Sequence, residues 1–214
     1  MIMGLCGTKG SGKDTVAEMM FKISGFKKIS FADPLKEACS TALGIPIYHF
    51  HEPDLKDKDL ETPVVINIDT IQALVFEVSK YYKGLINIGI LVDKADGVVL
   101  NSPRQILQYV GTDLFRELID NEIWLKCFEE RIKSMDGHIV CTDARFPNER
   151  QLLKKLGAVL VFIERPDNSH RLDTHISENQ FQDNYDVHII NDRPLHLLKQ
   201  DIELWLSNKL RSIR

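Results

Sequence analysis

Near its start the chain carries the sequence Gly7-Thr8-Lys9-Gly10-Ser11-Gly12-Lys13-Asp14-Thr15, on which its architecture depends. An apolar run over residues 1–6 precedes this sequence. After it, apolar residues recur at the spacing of one helix face, at Val16, Met19, Met20 and Ile23. A strand, a glycine-rich turn and a helix in this order are the context that a phosphate-binding loop, or P-loop, requires.

The residue types of this loop suit a phosphate ligand. Small residues let the backbone wrap closely around phosphate oxygens, with N–H groups pointing inward. The helix N-terminus adds partial positive charge, and Lys13 can reach the β- and γ-phosphates of a nucleotide. We therefore predict that ATP is bound by Gly7, Lys9, Gly10, Ser11, Gly12, Lys13, Asp14 and Thr15.

One position departs from the usual pattern. Asp14 stands where a P-loop normally has a Ser or Thr whose hydroxyl meets Mg²⁺, and Thr15 comes one place later. Nucleoside monophosphate kinases such as adenylate kinase also tolerate a residue without a hydroxyl there. The departure favours small-molecule kinases over motor ATPases and GTPases, and the chain has no N-K-x-D guanine element.

The composition limits the class of protein. The chain has 214 residues, which predicts a single domain over residues 1–214 with an insertion, and 43 % of them are apolar. A net charge of −4 argues against a duplex-DNA binder. The four cysteines include no C-x-x-C pair, which favours a reducing, cytoplasmic setting. No apolar run approaches the length that spans a membrane.

Charged residues follow two further predicted strands. Asp33 comes after a short strand at residues 28–31, and it is either a carboxylate near a phosphoryl acceptor or a helix N-cap. The apolar strand 138–143 ends in Asp143, the form of a Walker B element that helps to hold Mg²⁺. Arg145 follows at the same edge, where we expect it to meet an acceptor phosphate.

Residues 45–101 are predicted to be an insertion that covers the acceptor site. Residues 48–61 read as a solvated loop, which is favoured over a metal site at His49 and His51. Helical spacing covers residues 69–82, and residues 85–100 suggest a hairpin that turns near Asp96-Gly97.

A helical region follows the insertion. Ser102 and Pro103 fit a helix start, Gly111-Thr112 predicts an interruption, and Asn121 is expected to cap a further helix through Ile132. Its apolar faces could serve a core or a homodimer contact equally well. A polar cluster for phosphate or base is predicted at Arg104, Gln108, Thr112 and Arg116.

The last third of the chain predicts two more strands and a lid. Residues 158–163 form a continuous apolar run, typical of a buried parallel strand. Arg165 and Arg171 lie in the polar segment 164–184, which is either an arginine-bearing lid that excludes water or a charged surface loop. A short strand at residues 187–190 precedes a helix whose apolar stripe is Leu195, Leu198, Ile202, Trp205 and Leu206.

Taken together, these segments resemble a known family. GTKGSGKDTVAE, ISFADPLKEA, SPRQILQYVGTDLFRE and TDARFPNE are similar to the deoxynucleoside monophosphate kinases of bacteriophage type, and LDTHISE and VHIIND match more weakly. The resemblance implies an α/β P-loop NTPase fold with a mostly parallel central sheet flanked by helices. It also implies transfer of the γ-phosphoryl group of ATP to the 5′-phosphate of a deoxynucleoside monophosphate.

The resemblance further implies roles for single residues. Lys13 and the loop backbone would hold the donor phosphates, and Thr15 and Asp143 would support Mg²⁺, in part through water. The acceptor side would be lined by Asp33, Arg104, Arg116 and Arg145, and the lid would act through Arg165 and Arg171. The partners would be small nucleotides. The alternatives are another small-molecule P-loop kinase, such as one that phosphorylates dephospho-coenzyme A, and a non-catalytic nucleotide-binding regulator.

Overall fold

The computed structural model of the chain describes residues 1–8, 10–166 and 185–211. Within these residues the strands are β1 (Ile2–Cys6), β2 (Lys27–Ile29), β3 (Val64–Val65), β4 (Val99–Leu100), β5 (Ile139–Cys141), β6 (Val159–Glu164) and β7 (Val187–Ile190). The helices are α1 (Lys13–Ser24), α2 (Asp33–Leu43), α3 (Tyr48–His51), α4 (Pro53–Lys56), α5 (Ile68–Val78), α6 (Ile88–Ala95), α7 (Pro103–Gln108), α8 (Ile123–Lys133), α9 (Pro147–Lys155) and α10 (Leu195–Arg211). A π-helix, Tyr109–Arg116, directly continues α7.

The chain divides into two compact units. Unit 1 comprises Met1–Phe31 and Asp136–Arg214, and unit 2 comprises Ala32–Met135. The predicted insertion, residues 45–101, lies within unit 2, which also contains α2, α7, the π-helix and α8. None of the described helices is long and apolar enough to cross a membrane.

Unit 1 is built on a parallel sheet with the strand order β2-β5-β1-β6-β7. Every neighbouring pair in this sheet is parallel, with Gly4 of β1 opposite Cys141 of β5 and Leu160 of β6. Because parallel strands need crossover connections, helices lie between β1 and β2, between β2 and β5, and between β5 and β6 in the chain. The predicted α/β fold with a mostly parallel central sheet flanked by helices is confirmed.

The core of unit 1 follows from strand alternation and helix periodicity. Met3 and Leu5 of β1 are fully buried, as are Val16 and Met20 of α1. The same cluster takes in Val161 and Ile163 of β6 together with the stripe of α10. In that stripe Leu198, Ile202 and Leu206 are buried as predicted, whereas Leu195 is 61 % exposed because it is the first residue of the helix.

Unit 2 has its own core, formed by the apolar faces of α2, α5, α6, α7, the π-helix and α8. The Nε1–H group of the buried Trp124 donates a hydrogen bond to the carbonyl of Gly111, 2.8 Å away. A Cβ at Gly111 would lie 2.6 Å from Leu35 Cδ2, so α2 and the π-helix pack closely here. The buried apolar residues between Ile106 and Cys127 therefore belong to the core of unit 2.

The hairpin expected over residues 85–100 is wrong. Residues 88–95 form α6, which begins because the side chain of Asn87 accepts a hydrogen bond from the N–H of Ile90. Gly97, with φ of +79°, ends this helical region rather than turning a hairpin. The strand that follows, β4, pairs instead with β3 in an antiparallel ladder.

Three other local expectations are corrected. Residues 48–61 contain the short helices α3 and α4 rather than only a solvated loop, and Phe50 is fully buried. The helix does not stop at Gly111-Thr112, because the π-helix runs through both residues. The start of α8 is stabilised by Asp120 rather than Asn121, since the Asp120 carboxylate accepts from the N–H of Glu122 at 2.9 Å.

Candidate functional site

The predicted P-loop connects the end of β1 to the start of α1, the place that the sequence pattern predicts for it. Three glycines of the loop, Gly7, Gly10 and Gly12, have φ values of +142°, +81° and +103°. Residues with a side chain rarely adopt such values. A Cβ at Gly7 would lie 2.3 Å from the carbonyl oxygen of Ile163, so only glycine allows the loop to pass β6. Lys9 lies outside the described residues.

Lys13 folds back onto the loop that precedes it. Its Nζ donates hydrogen bonds to the carbonyl oxygens of Gly7 at 2.8 Å and Thr8 at 2.7 Å. The ammonium group is thus held at the mouth of the loop, where it would exchange these carbonyls for the oxygens of a bound anion.

Ser11 is fully buried within the loop. Its hydroxyl has no hydrogen-bond partner among the described residues, and it lies 2.7 Å from where a Cβ at Gly7 would be. A buried hydroxyl without a partner is unfavourable by about 1–3 kcal/mol. A ligand or a water in the loop can supply the missing partner.

A cavity of about 850 Å³ adjoins the first turn of α1. Asp14 and Thr15 are exposed there. The residues that line the cavity come from α1 and the first turns of α10, namely Asp14, Thr15, Glu18, Met19, Lys22, Leu195, His196 and Lys199. The volume is in the range of small-molecule sites.

Asn191, directly after β7, contacts the P-loop, although the sequence alone assigns it no role. Its side-chain Nδ2 donates to the carbonyl of Ser11 at 2.9 Å, and its backbone N–H donates to the carbonyl of Glu164 at 2.7 Å. The sequence signal for it is an amide residue directly after a strand, at the sheet edge that carries the P-loop.

Asp143 lies two residues beyond β5, at the same edge of the sheet. Its Oδ1 accepts a hydrogen bond from the N–H of Phe31 at 3.0 Å, just after β2, and one from Cys141 Sγ at 3.5 Å. These bonds fix the carboxylate against two strand ends. Thr15 and Asp143 supply hydroxyl and carboxylate oxygens, which are donors that suit Mg²⁺.

Arg145 is exposed, but its backbone is held on both sides by the first turn of α9. Glu149 Oε2 accepts from the N–H groups of Arg145 at 2.8 Å and Phe146 at 2.9 Å, which is one half of a capping box. The guanidinium of Arg150 donates to the carbonyl of Arg145 at 2.7 Å. Sequence reasoning missed both Glu149 and Arg150, which are buried charged residues.

The carboxyl group of Glu149 is electrostatically perturbed. Burial raises its pKa from 4.5 to about 7, although the N–H groups of Phe146 and Arg145 act in the opposite direction. The nearby Asp143 carboxylate raises the pKa further. Near neutral pH this group is therefore close to its titration point.

The two predicted lid arginines differ in what the structure describes. Arg165 directly follows β6 and is exposed. Arg171 and most of the predicted lid, residues 167–184, lie outside the described residues.

Within unit 2, the predicted polar cluster occupies one continuous helical stretch, α7 and the π-helix. All of its members are exposed, at intervals of four residues: Arg104, Gln108, Thr112 and Arg116. A π-helix advances more slowly around its axis than an α-helix does, so this spacing keeps the side chains near one face. The Nη2 of Arg104 donates to the Asp57 carboxylate at 2.9 Å, and its Nε also contacts that group.

Asp33 is the first residue of α2, and Ala32 occupies the N-cap position. The N-cap alternative for Asp33 is therefore wrong. Its carboxylate lies 3.4 Å from Lys36 Nζ, and both side chains are largely buried.

The histidines of the H-x-H sequence do not form a metal cluster. His51 Nδ1 lies 3.5 Å from Lys36 Nζ, and His49 stacks on Tyr48. Burial and the Lys36 charge lower the pKa of His51. Across residues 1–8, 10–166 and 185–211, no group of three or more His, Cys, Asp or Glu side chains could hold a metal ion.

Comparison with known proteins identifies relatives along most of the chain. A putative deoxynucleotide monophosphate kinase of Acanthamoeba polyphaga mimivirus is 30 % identical, over 91 % of this chain and 90 % of that protein. The deoxynucleoside-5′-monophosphate kinase of Escherichia phage T5 is 32 % identical, over 72 % of each chain. The chain belongs to the deoxynucleotide monophosphate kinase family.

Two further findings agree with this membership. The family model for deoxynucleotide monophosphate kinase matches residues 99–202. The deoxynucleotide monophosphate kinase of Enterobacteria phage T4 is 26 % identical over 81 % of this chain. The resemblance found in the sequence is confirmed, and with it the prediction that the chain is an enzyme of the nucleotide kinase type.

Proposed function

We propose that the protein transfers the γ-phosphoryl group of ATP to the 5′-phosphate of a deoxynucleoside monophosphate, giving ADP and a deoxynucleoside diphosphate. The observation that carries the proposal is the P-loop, with Lys13 held at its mouth by the carbonyls of Gly7 and Thr8. In a chain of the deoxynucleotide monophosphate kinase family, this loop is the natural donor site.

Positive charge and position would supply most of the catalysis. The acceptor phosphate is already an anion near neutral pH, so little is needed from a protein base. Lys13 would neutralise the transferring phosphate, and the buried hydroxyl of Ser11 would find a partner in the donor phosphates. The cavity beside Thr15 has room for the nucleoside part of ATP.

We propose Mg²⁺ as the metal of this reaction. The Thr15 hydroxyl and the Asp143 carboxylate would hold it together with nucleotide phosphates and water, because Mg²⁺ favours oxygen ligands and retains several waters. When bound, the ion offsets charge on the phosphates. The hydrogen bonds of Asp143 to Phe31 and Cys141 would keep its carboxylate in place.

The acceptor phosphate would be bound by arginines. Arg145 offers an exposed guanidinium on a backbone that Glu149 and Arg150 hold, which suits bidentate phosphate binding. From unit 2, we assign the acceptor side to Asp33 and the exposed polar cluster on α7 and the π-helix. Arg165 and Arg171 would act from the predicted lid.

The setting of the reaction is also a proposal. The relatives come from phages and a virus, so we infer that the chain acts on nucleotide pools in a host cytoplasm. The four cysteines are free and buried, which suits a reducing compartment.

An acceptor panel tests the proposed function. ADP release is measured with Mg²⁺-ATP and dAMP, dGMP, dCMP, dTMP, the matching ribonucleotides and dephospho-coenzyme A. We expect turnover with deoxynucleoside monophosphates. Turnover only with dephospho-coenzyme A would retain the donor site and overturn the acceptor, and ATP binding without turnover would indicate a nucleotide-binding regulator.

A further inference from the structure

Asn191 joins the end of β7 to the outside of the P-loop. Its Nδ2 donates to the carbonyl of Ser11 at 2.9 Å, across a sequence separation of 180 residues. Its backbone N–H donates to the carbonyl of Glu164 at 2.7 Å, at the end of β6. The side chain is thus anchored in the sheet and reaches the loop from there.

The same amide lies against the junction of loop and helix. A Cβ at Gly12, the N-cap residue of α1, would lie 2.5 Å from Asn191 Nδ2. Gly12 also has φ of +103°, so its backbone is turned in a way that few other residues adopt. Glycine at this position lets the Asn191 amide approach the loop.

In an anion-binding loop the backbone N–H groups point toward the anion, so the carbonyl groups point away from it. A hydrogen bond to such a carbonyl group holds the loop in this orientation. In the structure, Lys13 holds the carbonyls of Gly7 and Thr8, and Asn191 holds that of Ser11. Lys13 must leave its carbonyls to reach a phosphate. Asn191 lies outside the loop and can keep its bond while the nucleotide is bound.

We propose that Asn191 is a positioning residue for ATP, which holds the Ser11–Gly12 segment of the P-loop in its phosphate-binding conformation. It acts through the loop backbone rather than on the reacting atoms. The inference rests on the proposed function in so far as the P-loop must bind a nucleotide.

The test is direct titration with a fluorescent ATP analogue, together with the KM for ATP and for the acceptor. Asn191→Asp has the same shape but replaces the donor with a carboxylate that repels both the Ser11 carbonyl and the phosphates. We expect its Kd for ATP to rise more than about tenfold, since an ordinary hydrogen bond alone accounts for up to about that factor. The KM for the acceptor should stay close to the wild-type value.

Two further variants make the result specific. Asn191→Ala loses the donor without adding charge and should raise the Kd for ATP by about threefold to tenfold. This variant also tests the proposal if Asn191→Asp does not fold. Asp192→Asn is the matched control, because Asp192 is the exposed neighbour in the same turn, and it should bind ATP as the wild type does.

The outcomes separate this inference from the proposed function. Wild-type ATP affinity in a folded Asn191→Asp or Asn191→Ala variant would overturn the positioning role, as would a fall in melting temperature with no change in Kd. A wild-type protein that binds no ATP would overturn the proposed function first. A wild-type protein that binds ATP but transfers no phosphate would leave the Asn191 test intact, because binding is its readout.

Discussion

At the scale of single residues, Arg145 combines an exposed guanidinium with a backbone held at its N–H and its carbonyl. We predict that Arg145→Ala lowers kcat/KM for the acceptor by roughly 10²-fold or more, by analogy with arginines that stabilise transferring phosphates. Arg211→Ala is the matched control, since Arg211 is exposed in the last turn of α10. Steady-state kinetics on both variants checks this, and unchanged activity in Arg145→Ala would remove Arg145 from the site.

Glu149 predicts a pH dependence of stability. Its pKa is about 7 in the folded protein against 4.5 ordinarily, so between these values the folded state keeps a proton that the unfolded state has released. The contribution of this group to stability is therefore complete below pH 4.5 and is lost as the pH rises through 7, by about 3 kcal/mol in all. Glu149→Gln should lose this pH-dependent part of the stability, because glutamine does not titrate.

The measurement is urea unfolding of the wild type and Glu149→Gln at pH 5 and pH 8. The free energy of unfolding should fall more with rising pH in the wild type than in the variant. Glu203→Gln is the control, because Glu203 lies in a half-exposed ion pair with Lys199 on α10. Equal pH dependence in all three proteins would contradict the perturbed pKa of Glu149.

At the scale of helices and strands, Trp124 ties α8 to the π-helix through the carbonyl of Gly111. We predict that Trp124→Phe lowers the free energy of unfolding by about 2 kcal/mol, because it leaves a buried carbonyl without a partner. Trp205→Phe, on the half-buried side of α10, is the control and should be milder. The free energy of unfolding is measured by urea unfolding, monitored by circular dichroism. An equal loss of stability in both variants would contradict a special role for the Trp124 hydrogen bond.

The sequence predicts those elements best whose patterns are long or bounded by clear caps. The structure has α1, α5, β6 and β7 close to their predicted positions. Residues 85–100 were misread because a short apolar run fits a strand or a buried helix equally well. The Asn87 cap, not the apolar pattern, decides that α6 forms there.

The site was predictable where chemistry is local in the sequence and not where it depends on distant contacts. The glycines and Lys13 form one motif, so they could be identified together. Asn191 meets Ser11 only because β7 and the P-loop reach the same sheet edge. Glu149 and Arg150 look like ordinary helix residues until the fold buries them against the backbone of Arg145.

At the scale of the whole molecule, the four cysteines are buried in the cores of the two units. Burial raises the pKa of Cys6 to about 11 and that of Cys127 to about 12, and it raises those of Cys39 and Cys141 as well. Because the thiolate is the reactive form, we predict very slow reaction of the native protein with Ellman's reagent at pH 8. All four thiols should react promptly in urea, and rapid reaction of any one of them in the native protein would contradict the packing described here.

We infer that Lys13 of the P-loop stabilises the phosphoryl group that is transferred between two nucleotides. To test this role, the protein is incubated with Mg²⁺-ATP and each deoxynucleoside monophosphate, and the products are identified by anion-exchange chromatography. The wild type is compared with Lys13→Ala and with the control variant Lys27→Ala, because Lys27 is exposed on β2. The prediction is a deoxynucleoside diphosphate and ADP in equal amounts from the wild type and Lys27→Ala, and almost none from Lys13→Ala. Full activity in Lys13→Ala would contradict the inferred role of Lys13 in phosphoryl transfer.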